Sequence, residues 1–479
     1  MLRSTKIVAT LGPASSDAET LERMLRAGVD VVRLNFSHGT PDDHLKRAAL
    51  LRSLCEKTGR TVGIMVDLQG PKIRIGKFRD GRVTLKTGDT FILDATCTEG
   101  DASRVGIDYP ELPQDVRPGD ILLLDDGKLR LVAESVGATE VCCRVQAGGV
   151  LSNNKGINRQ GGGLTAPALT SKDMDDIKVA AQLRADYLAV SFPKSGRDMY
   201  LARELLRAAG GSSLLIAKIE RAEAVVPAAL DDILQACDGI MVARGDLAVE
   251  VGDASVPALQ KRMIRAAREQ NRITITATQM MESMIASPVP TRAEVSDVAN
   301  AVLDGTDAVM LSAESASGLY PVETIESMHR ICVEAEKSAS LTLDREFLDR
   351  VFTRVDQSIA MAALFTAHHL KVKAIVALTQ SGSTALWMSR LNCGVPIYAL
   401  TTETSARYRM SLFRDVFPLM IGYTGHDREA LLEEAEGVLL ASGVVEVGDI
   451  IVVSFGEPIG KAGGTNTMKI VKVGEHRKP

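Results

Sequence analysis

The 479-residue sequence has few aromatic residues, few cysteines and no long apolar run. Aromatic residues make up 4% of the chain, and its seven cysteines are scattered, odd in number and without a C-x-x-C pair. This pattern argues against a disulfide scaffold or a zinc site and predicts reduced thiols in a cytoplasmic protein. No apolar run approaches the ~20 residues that cross a bilayer, and the N-terminus shows no signal peptide.

The sequence also lacks a large excess of charge of either sign. A formal net charge of −5 argues against nucleic-acid and membrane-surface partners, so local cations must hold any anionic ligand. Hydrophobic residues at 45% and charged residues at 24% are ordinary for a globular enzyme. The length exceeds what one core supports, and about two to four domains are expected.

Apolar, strand-like runs alternate with helical patterns in two parts of the chain. Near-continuous apolar strands that alternate with helices indicate a parallel sheet covered on both faces. Three such runs before residue 70 and five after residue 167 predict a (β/α)₈ TIM barrel, with a doubly wound open sheet as the alternative. The predicted strands are 7–12, 31–37, 62–67, 187–192, 214–220, 240–244, 273–278 and 308–312.

The pattern changes after the third strand, where short alternating runs and turn signals replace helices. Asp125-Asp126-Gly127 predicts a hairpin turn, because Asp-Gly supplies positive φ. We therefore expect an inserted all-β lid domain, built as a β-barrel, whose glycine-rich exit at 148–163 acts as a hinge. A βαβ pattern near the end predicts a C-terminal α/β domain. The expected domains are barrel 1–70, lid 71–167, barrel 168–340 and C-terminal regulatory domain 341–479.

The carboxyl ends of the predicted barrel strands are unusually polar, and barrel active sites lie at those ends. Lys218 and Glu220 would point to one face of their strand, which on its own also fits a simple ion pair. Glu220 and Asp246 are hard oxygen ligands suited to Mg²⁺. The strand-end residues are Thr10, Arg33, Asn35, Ser37, His38, Asp67, Ser191, Lys218, Glu220, Arg244, Gly245, Asp246, Thr278, Gln279, Ser312 and Glu314.

Three further features of these strand ends indicate chemistry on a phosphorylated anion. Gly245 has no Cβ, so backbone N–H groups there can approach a carboxylate closely. The planar forks of Arg33 and Arg74 match phosphate oxygens, although either arginine alone would more often form a surface ion pair. Lys218 beside a metal suits the stabilisation of a transferring anion. Mg²⁺, several cations and no evident nucleophile together favour phosphoryl transfer.

Long collinear motifs across the chain closely resemble pyruvate kinase. They read T-K-I-V-A-T-L-G-P-A-S at 5–15, R-L-N-F-S-H-G at 33–39, A-K-I-E at 217–220, M-V-A-R-G-D-L at 241–247, A-T-Q-M-M-E-S-M at 277–284 and P-T-R-A-E-V-S-D-V-A-N-A at 290–301. The resemblance implies transfer of the phosphoryl group of phosphoenolpyruvate to ADP, giving pyruvate and ATP. It also implies a Mg²⁺ cofactor, with Mn²⁺ as a substitute, and a homotetramer.

The resemblance also implies roles for individual residues. Glu220 and Asp246 would hold the metal, and Lys218 would stabilise the transferring phosphoryl group and the enolate. Thr278 would belong to the proton relay, and Arg33 would hold the substrate phosphate. The implied substrate-binding residues are Arg33, Ser191, Lys218, Gly245, Asp246 and Thr278. The implied nucleotide-side residues are Thr10, Pro13, Asn35, His38, Arg74 and Lys155.

The third strand end departs from the common form of the family. Where that form reads D-T-K-G-P-E-I-R-T, residues 67–75 read D-L-Q-G-P-K-I-R-I. Leu68 cannot supply the hydroxyl ligand for K⁺, and the ammonium of Lys72 replaces a glutamate. These substitutions resemble the K⁺-independent branch, so we expect dependence on Mg²⁺ but not on K⁺. The region concerned comprises Asn35, Ser37, Asp67, Leu68 and Lys72.

A polar loop between a strand and a helix near residue 380 predicts an anion site. The matching loop in pyruvate kinases binds a phosphorylated allosteric effector, and the glycine-rich stretch 456–467 resembles the second loop of that pocket. We expect a sugar monophosphate or AMP, while a simple helix cap is the alternative. The candidate effector residues are Thr379, Ser381, Gly382, Ser383 and Thr384.

Two other functions remain open from the residues alone. A Mg²⁺-dependent barrel lyase or aldolase acting on pyruvate or oxaloacetate would explain Glu220 and Asp246, but not Thr10, Arg74 or the lid. A non-catalytic metabolite-binding regulator would tolerate loss of Lys218. ADP-dependent formation of pyruvate from phosphoenolpyruvate separates both from a kinase.

Overall fold

A computed structural model describes residues 2–338, 351–423, 425, 427–459 and 463–475. The predicted boundary between residues 340 and 341 lies outside the described residues. Before the insertion the elements are β1 (Lys6–Thr10), α1 (Ala18–Ala27), β2 (Val31–Asn35), α2 (Pro41–Thr58) and β3 (Gly63–Asp67). The insertion contains β4 (Arg82–Leu85), β5 (Thr90–Asp94), β6 (Arg104–Gly106), α3 (Leu112–Asp115), β7 (Ile121–Leu124), β8 (Leu129–Val136), β9 (Glu140–Ala147), β10 (Gly149–Ser152) and β11 (Ile157–Arg159).

Alternating helices and strands resume after the insertion. They are α4 (Ser171–Gln182), β12 (Tyr187–Val190), α5 (Gly196–Ala208), β13 (Leu214–Ile219), α6 (Pro227–Ala236), β14 (Gly239–Ala243), α7 (Arg244–Val251), α8 (Val256–Glu269), β15 (Ile273–Ala277), α9 (Arg292–Leu303), β16 (Ala308–Leu311), α10 (Ala313–Ala316) and α11 (Pro321–Ser338). The C-terminal part contains α12 (Val355–Leu370), β17 (Ala374–Leu378), α13 (Ser383–Ser389), β18 (Ile397–Thr401), α14 (Thr404–Arg409), β19 (Val416–Met420), α15 (Arg428–Ala441), β20 (Ile450–Gly456) and β21 (Thr465–Lys472).

Eight parallel strands close into a barrel in the order β1-β16-β15-β14-β13-β12-β3-β2. Most of their residues are buried, because the barrel interior covers one face and the helices cover the other. The predicted (β/α)₈ barrel is confirmed, and the open doubly wound sheet is not formed. Several observed strands end one or two residues before their predicted ends. The polar residues that follow leave the strand ladder and lie at the barrel mouth.

The insertion between β3 and β12 is almost entirely β-structure. Its strands form a six-stranded sheet, β11-β7-β8-β9-β5-β6, and a two-stranded sheet, β10-β4, around their own apolar core. The predicted hairpin turn lies between β7 and β8, with φ of 50° at Asp125, 56° at Asp126 and 85° at Gly127. Because Leu124 pairs with Leu129, the connection has four residues rather than the two of a tight Asp-Gly hairpin.

The C-terminal part is an α/β domain, as predicted. Its sheet has the order β19-β18-β17-β20-β21, and β21 is the antiparallel edge strand. A buried ion pair between Arg390 and Asp307 joins this domain to the barrel, and Arg390 Nη1 also donates to the carbonyl of Arg272. Among the described helices, none is both long and apolar enough to cross a membrane.

Candidate active site

A buried cluster of cations and carboxylates lies at the carboxyl ends of the barrel strands. Arg33 Nε donates to Asp67 Oδ2 at 2.6 Å, and Lys218 Nζ lies 3.3 Å from Asp67 Oδ1. Lys218 Nζ is also 2.9 Å from Glu220 Oε1 and donates to Ser191 Oγ at 2.7 Å. The ion pair considered from the sequence is therefore present, but it is one contact among three. Together these contacts fix the lysine ammonium in place.

Neighbouring charges keep Asp67 and Lys218 ionised despite their burial, but they offset only part of the burial of Glu220. Burial alone would lower the pKa of Lys218, but the carboxylates of Asp67 and Glu220 outweigh it and raise that pKa. Burial likewise opposes ionisation of Asp67, but Arg33 and Lys218 lower its pKa. Burial raises the pKa of Glu220 to about 7, because Lys218 compensates only part of the cost and Asp246 adds like charge. The glutamate therefore has negative charge that a further cation would stabilise.

The start of α7 presents backbone N–H groups beside this cluster. Because the helix begins at Arg244, the amides of Gly245 and Asp246 lie in its first turn and lack intrahelical acceptors. Gly245 N donates to Thr278 Oγ1 at 3.2 Å, and a Cβ on Gly245 would lie 3.0 Å from that oxygen. Arg244 is fixed by Asp297, with Nη1 and Oδ1 2.6 Å apart. These amides and the Thr278 hydroxyl form a polar edge suited to a carboxylate.

The donor set fits a hard divalent cation. Glu220 and Asp246 supply carboxylate oxygens, and the raised pKa of Glu220 marks an incompletely compensated negative charge. Within the described residues, no group of three or more His, Cys, Asp and Glu side chains is arranged to hold a metal. Two protein carboxylates with substrate and water completing the shell is the arrangement typical of Mg²⁺.

A cleft of about 540 Å³ separates the insertion from α7, with Lys72 and Asp126 on one side and Gly245 and Asp246 on the other, and none of the predicted nucleotide-side residues lines it. On the barrel, Pro13 and His38 are exposed on the turns after β1 and β2. Thr10 is buried, where its hydroxyl donates to the Leu311 carbonyl at 2.8 Å and accepts from Arg33 at 3.0 Å. The structure therefore places Thr10 behind Arg33, away from the open face.

The other predicted nucleotide-side cations lie in the segment inserted between β3 and β12. Arg74, on the segment that enters the lid, donates through Nη1 to the Asn154 carbonyl at 3.0 Å. Lys155 Nζ is 2.7 Å from Asp125 Oδ1, in the hairpin turn of the lid. Both cations are therefore held by groups of the insertion itself.

The residues predicted to replace a K⁺ site are only partly brought together. Asn35 Oδ1 accepts from the backbone N–H of Ser37 at 3.1 Å, while Leu68 packs in the barrel core. In the described part of the chain, Lys72 Nζ pairs with Asp246 Oδ1 at 3.6 Å and Asp126 Oδ1 at 3.9 Å, not with Asp67. Sequence reasoning missed Asp126 as a partner, although the hairpin motif that contains it was identified.

Part of the predicted effector loop lines a second pocket of about 230 Å³ in the C-terminal domain. Thr379, Ser383 and Thr384 line it, whereas Ser381 and Gly382 do not. Across the pocket, Thr384 Oγ1 and Thr465 Oγ1 are hydrogen-bonded at 2.8 Å. Residues 460–462 of the second predicted loop lie outside the described residues. The sequence did not identify the lining side chains Thr401, Thr402, Ile421, Tyr423 and Phe455.

A closed barrel with three carboxylates and two fixed cations at its mouth is suited to an enzyme that transfers a phosphoryl group. Comparison with known proteins identifies the family. The protein-family model "Pyruvate kinase, barrel domain" matches residues 2–325, and the family model "Pyruvate kinase, alpha/beta domain" matches residues 357–471. The chain belongs to the pyruvate kinase family.

Individual relatives agree with this assignment over nearly their whole length. The chain is 52% identical over 476 residues to pyruvate kinase II of Salmonella typhimurium, covering 98% of this chain and 99% of the relative. It is 52% identical over 459 residues to a pyruvate kinase of Haemophilus influenzae, covering 95% and 96%. The chain is thus a phosphotransferase that converts phosphoenolpyruvate and ADP to pyruvate and ATP, and neither the lyase nor the regulator is favoured.

Proposed function

We propose that the buried cluster at the barrel mouth carries out this phosphoryl transfer. Arg33 binds the substrate phosphate, while Gly245, Asp246 and Thr278 bind the substrate carboxylate. The observation that carries the proposal is the lysine ammonium of Lys218, which three acceptors hold in a buried site. A cation fixed in this way stabilises negative charge on the transferring group and the enolate without reorganising during the reaction. Ser191 acts mainly by positioning that ammonium.

The proposal assigns the divalent cation to Glu220 and Asp246. When bound, Mg²⁺ neutralises charge on the phosphoryl group. The protein contributes two carboxylates that differ in setting, since Glu220 is fully buried and Asp246 faces the cleft. A bound cation also favours the ionised form of Glu220, opposing the burial that raises its pKa.

The proposal further assigns residues 71–167 to a lid that covers the nucleotide. Lys155 belongs to the lid and Arg74 to its entry segment, while Pro13 and His38 stay with the barrel. A nucleotide bound between these residues would therefore contact both parts of the protein. Closure excludes water, which would otherwise accept the phosphoryl group.

Replacing Asp246 by asparagine tests the metal assignment. We expect pyruvate formation from phosphoenolpyruvate to require ADP and to need about tenfold more Mg²⁺ in Asp246→Asn, because one anionic ligand is lost. A coupled pyruvate assay across a Mg²⁺ titration measures this change. Asp175→Asn, on the exposed surface of α4, is the matched control. An unchanged Mg²⁺ requirement in Asp246→Asn would contradict the assignment.

We also propose that the pocket in the C-terminal domain binds a phosphorylated effector, either a sugar monophosphate or AMP. We expect ribose 5-phosphate or AMP to lower the phosphoenolpyruvate concentration for half-maximal rate about fivefold or more, a typical allosteric coupling. Ser383→Glu should abolish this response, because a carboxylate in the lining repels phosphate. Fructose 1,6-bisphosphate should have little effect. Ser442→Glu, on an exposed helix end, is the control. If no compound moves the curve, the regulatory assignment is wrong.

Assembly into a homotetramer is proposed from the family resemblance. Two exposed apolar side chains of the C-terminal domain support an interface there: Phe365 on α12 and Ile470 on the edge strand β21. An edge strand offers backbone groups to a second copy. Sedimentation equilibrium should give a single mass of four chains, and a monomer at micromolar concentration would exclude this assembly.

A further inference from the structure

The segment that leaves the lid is hydrogen-bonded to the barrel at three points. Gly161 N donates to the Glu250 carbonyl at 2.9 Å. Gly163 N donates to the carboxylate of Glu223. Arg221 Nη1 donates to the Leu164 carbonyl at 3.1 Å. We call residues 161–164 the exit hinge, because they connect β11 of the lid to the returning barrel.

The barrel partners of the exit hinge belong to the two segments that carry the proposed metal ligands. Arg221 and Glu223 lie in the turn directly after Glu220, at the end of β13. Glu250 lies on α7, about one turn after Asp246. Ala222 N donates to Glu250 Oε2 at 2.7 Å and joins these segments to each other. The exit hinge and both ligand-bearing segments thus form one hydrogen-bonded unit.

The contact between Glu223 and the exit hinge requires that residue 162 has no side chain. Gly162 and Gly163 have φ of 78° and 92°, in the left-handed region. A Cβ on Gly162 would lie 2.5 Å from Glu223 Oε2, so any side chain there would displace the carboxylate. By contrast, Gly161 has a similar φ of 86°, and a Cβ on it would meet nothing within 4 Å. The carboxylate of Glu223 therefore fits against Gly162 in particular.

We propose that Glu223 is a positioning residue that anchors the exit hinge to the turn after Glu220 and so sets the lid over the barrel mouth. Strand β11 connects the hinge directly to the loop that holds Lys155, so an anchor at Gly163 fixes the approach of that cation to the nucleotide. The inference rests on the proposed roles of Lys155 and the lid. The proposal assigns Glu223 no contact with either substrate.

Replacing Glu223 by alanine should separate the two substrates kinetically. We expect KM for ADP to rise about tenfold, the cost of a lost hydrogen bond to a charged acceptor. KM for phosphoenolpyruvate and the Mg²⁺ requirement should stay within about twofold, because barrel residues set them. Glu223→Gln keeps an oxygen that accepts from Gly163 N and should restore most of the affinity for ADP. Asp232→Ala removes a similar carboxylate bond, to Gly196 N at 2.7 Å, away from the lid and serves as the control.

A glycine pair provides a second, independent measurement. Gly162→Ala should raise KM for ADP as Glu223→Ala does, whereas Gly161→Ala suffers the same backbone penalty without the clash and should not. In the Glu223→Ala background, Gly162→Ala should add no more than Gly161→Ala, because the atoms it would meet are gone. This non-additivity is expected only if the carboxylate and Gly162 act as one contact.

The outcomes distinguish this inference from the function on which it rests. If the unmodified protein forms pyruvate from phosphoenolpyruvate and ADP but Glu223→Ala behaves like Asp232→Ala, the anchor is refuted and the kinase assignment stands. Equal increases of KM for both substrates would also refute it, since they would indicate general damage to the site. If Lys155→Met leaves KM for ADP unchanged, the proposed role of Lys155 and the lid in nucleotide binding is wrong, and the role of Glu223 that rests on it is wrong as well.

Discussion

Replacing Lys218 by methionine is expected to lower kcat about a thousandfold, as removal of a preorganised electrostatic group does in other enzymes. Methionine has a similar length and no branch, so it preserves most of the packing while removing the charge. Lys218 is 12% exposed at its side chain, and three acceptors hold its ammonium. Water cannot readily replace it. The loss should therefore appear in the chemical step.

The Mg²⁺ requirement should change little in the same variant. The proposed ligands, Glu220 and Asp246, remain in place, and removing a neighbouring cation does not take away an oxygen donor. Lys218 partly offsets the burial that raises the pKa of Glu220 to about 7, so its loss raises that pKa further. Proton competition for Glu220 therefore increases at lower pH. The comparison should therefore be repeated at increasing pH, because a higher pH reduces this competition by protons.

Steady-state kinetics with varied Mg²⁺ and phosphoenolpyruvate measures both effects. Lys178→Met is the matched control, because Lys178 is exposed on α4 and pairs only with its helix neighbour Asp175 within the described residues. It should retain full kcat. A Lys218→Met enzyme with near-normal kcat would show that Lys218 merely neutralises Asp67 and Glu220. A large rise in the Mg²⁺ requirement alone would place the lysine in metal binding instead.

The barrel and the composition of its mouth were accessible from sequence for a simple physical reason. Buried parallel strands are continuous apolar runs, and polar residues directly after them must lie at the mouth. Lys218, Glu220 and Thr278 could be located in this way without any knowledge of their contacts. Several strand ends were placed one or two residues too late, because the first residues after the ladder, most of them polar, were counted with their strands.

Contacts between distant segments could not be predicted in the same way. Asp67 was considered part of a monovalent-cation region, yet in the structure its two oxygens engage Arg33 and Lys218. Arg244 and Asp297 pair across 53 positions, with no sequence pattern that joins them. The glycines at 161–163 were predicted to belong to a hinge, but the contact with Glu223 could not be predicted, because Glu223 lies 60 positions after Gly163. Such pairings follow from closure of the fold and not from local propensity.

The second large effect concerns Lys72 and the need for K⁺. We propose that the enzyme works without K⁺ because the Lys72 ammonium supplies a fixed cation beside the mouth, 3.6 Å from Asp246 Oδ1. The partners differ from the set inferred by resemblance, but the charge still lies next to a proposed metal ligand. Reversing it in Lys72→Glu would place two carboxylates together. We expect about a hundredfold loss of rate in K⁺-free buffer from this repulsion.

Tetramethylammonium provides the ionic strength for this test without offering a cation small enough to replace K⁺. The unmodified enzyme should turn over equally in tetramethylammonium and K⁺ salts. Lys72→Glu should be slow in the first and recover at least partly in the second, because K⁺ can then compensate the introduced carboxylate. Lys77→Glu, an exposed lysine on the entry to the lid, controls for the change in net charge. If the unmodified enzyme loses its activity without K⁺, Lys72 does not replace the ion. If K⁺ restores the rate of Lys72→Glu and tetramethylammonium does not, a fixed ammonium and a bound K⁺ ion serve the same electrostatic purpose.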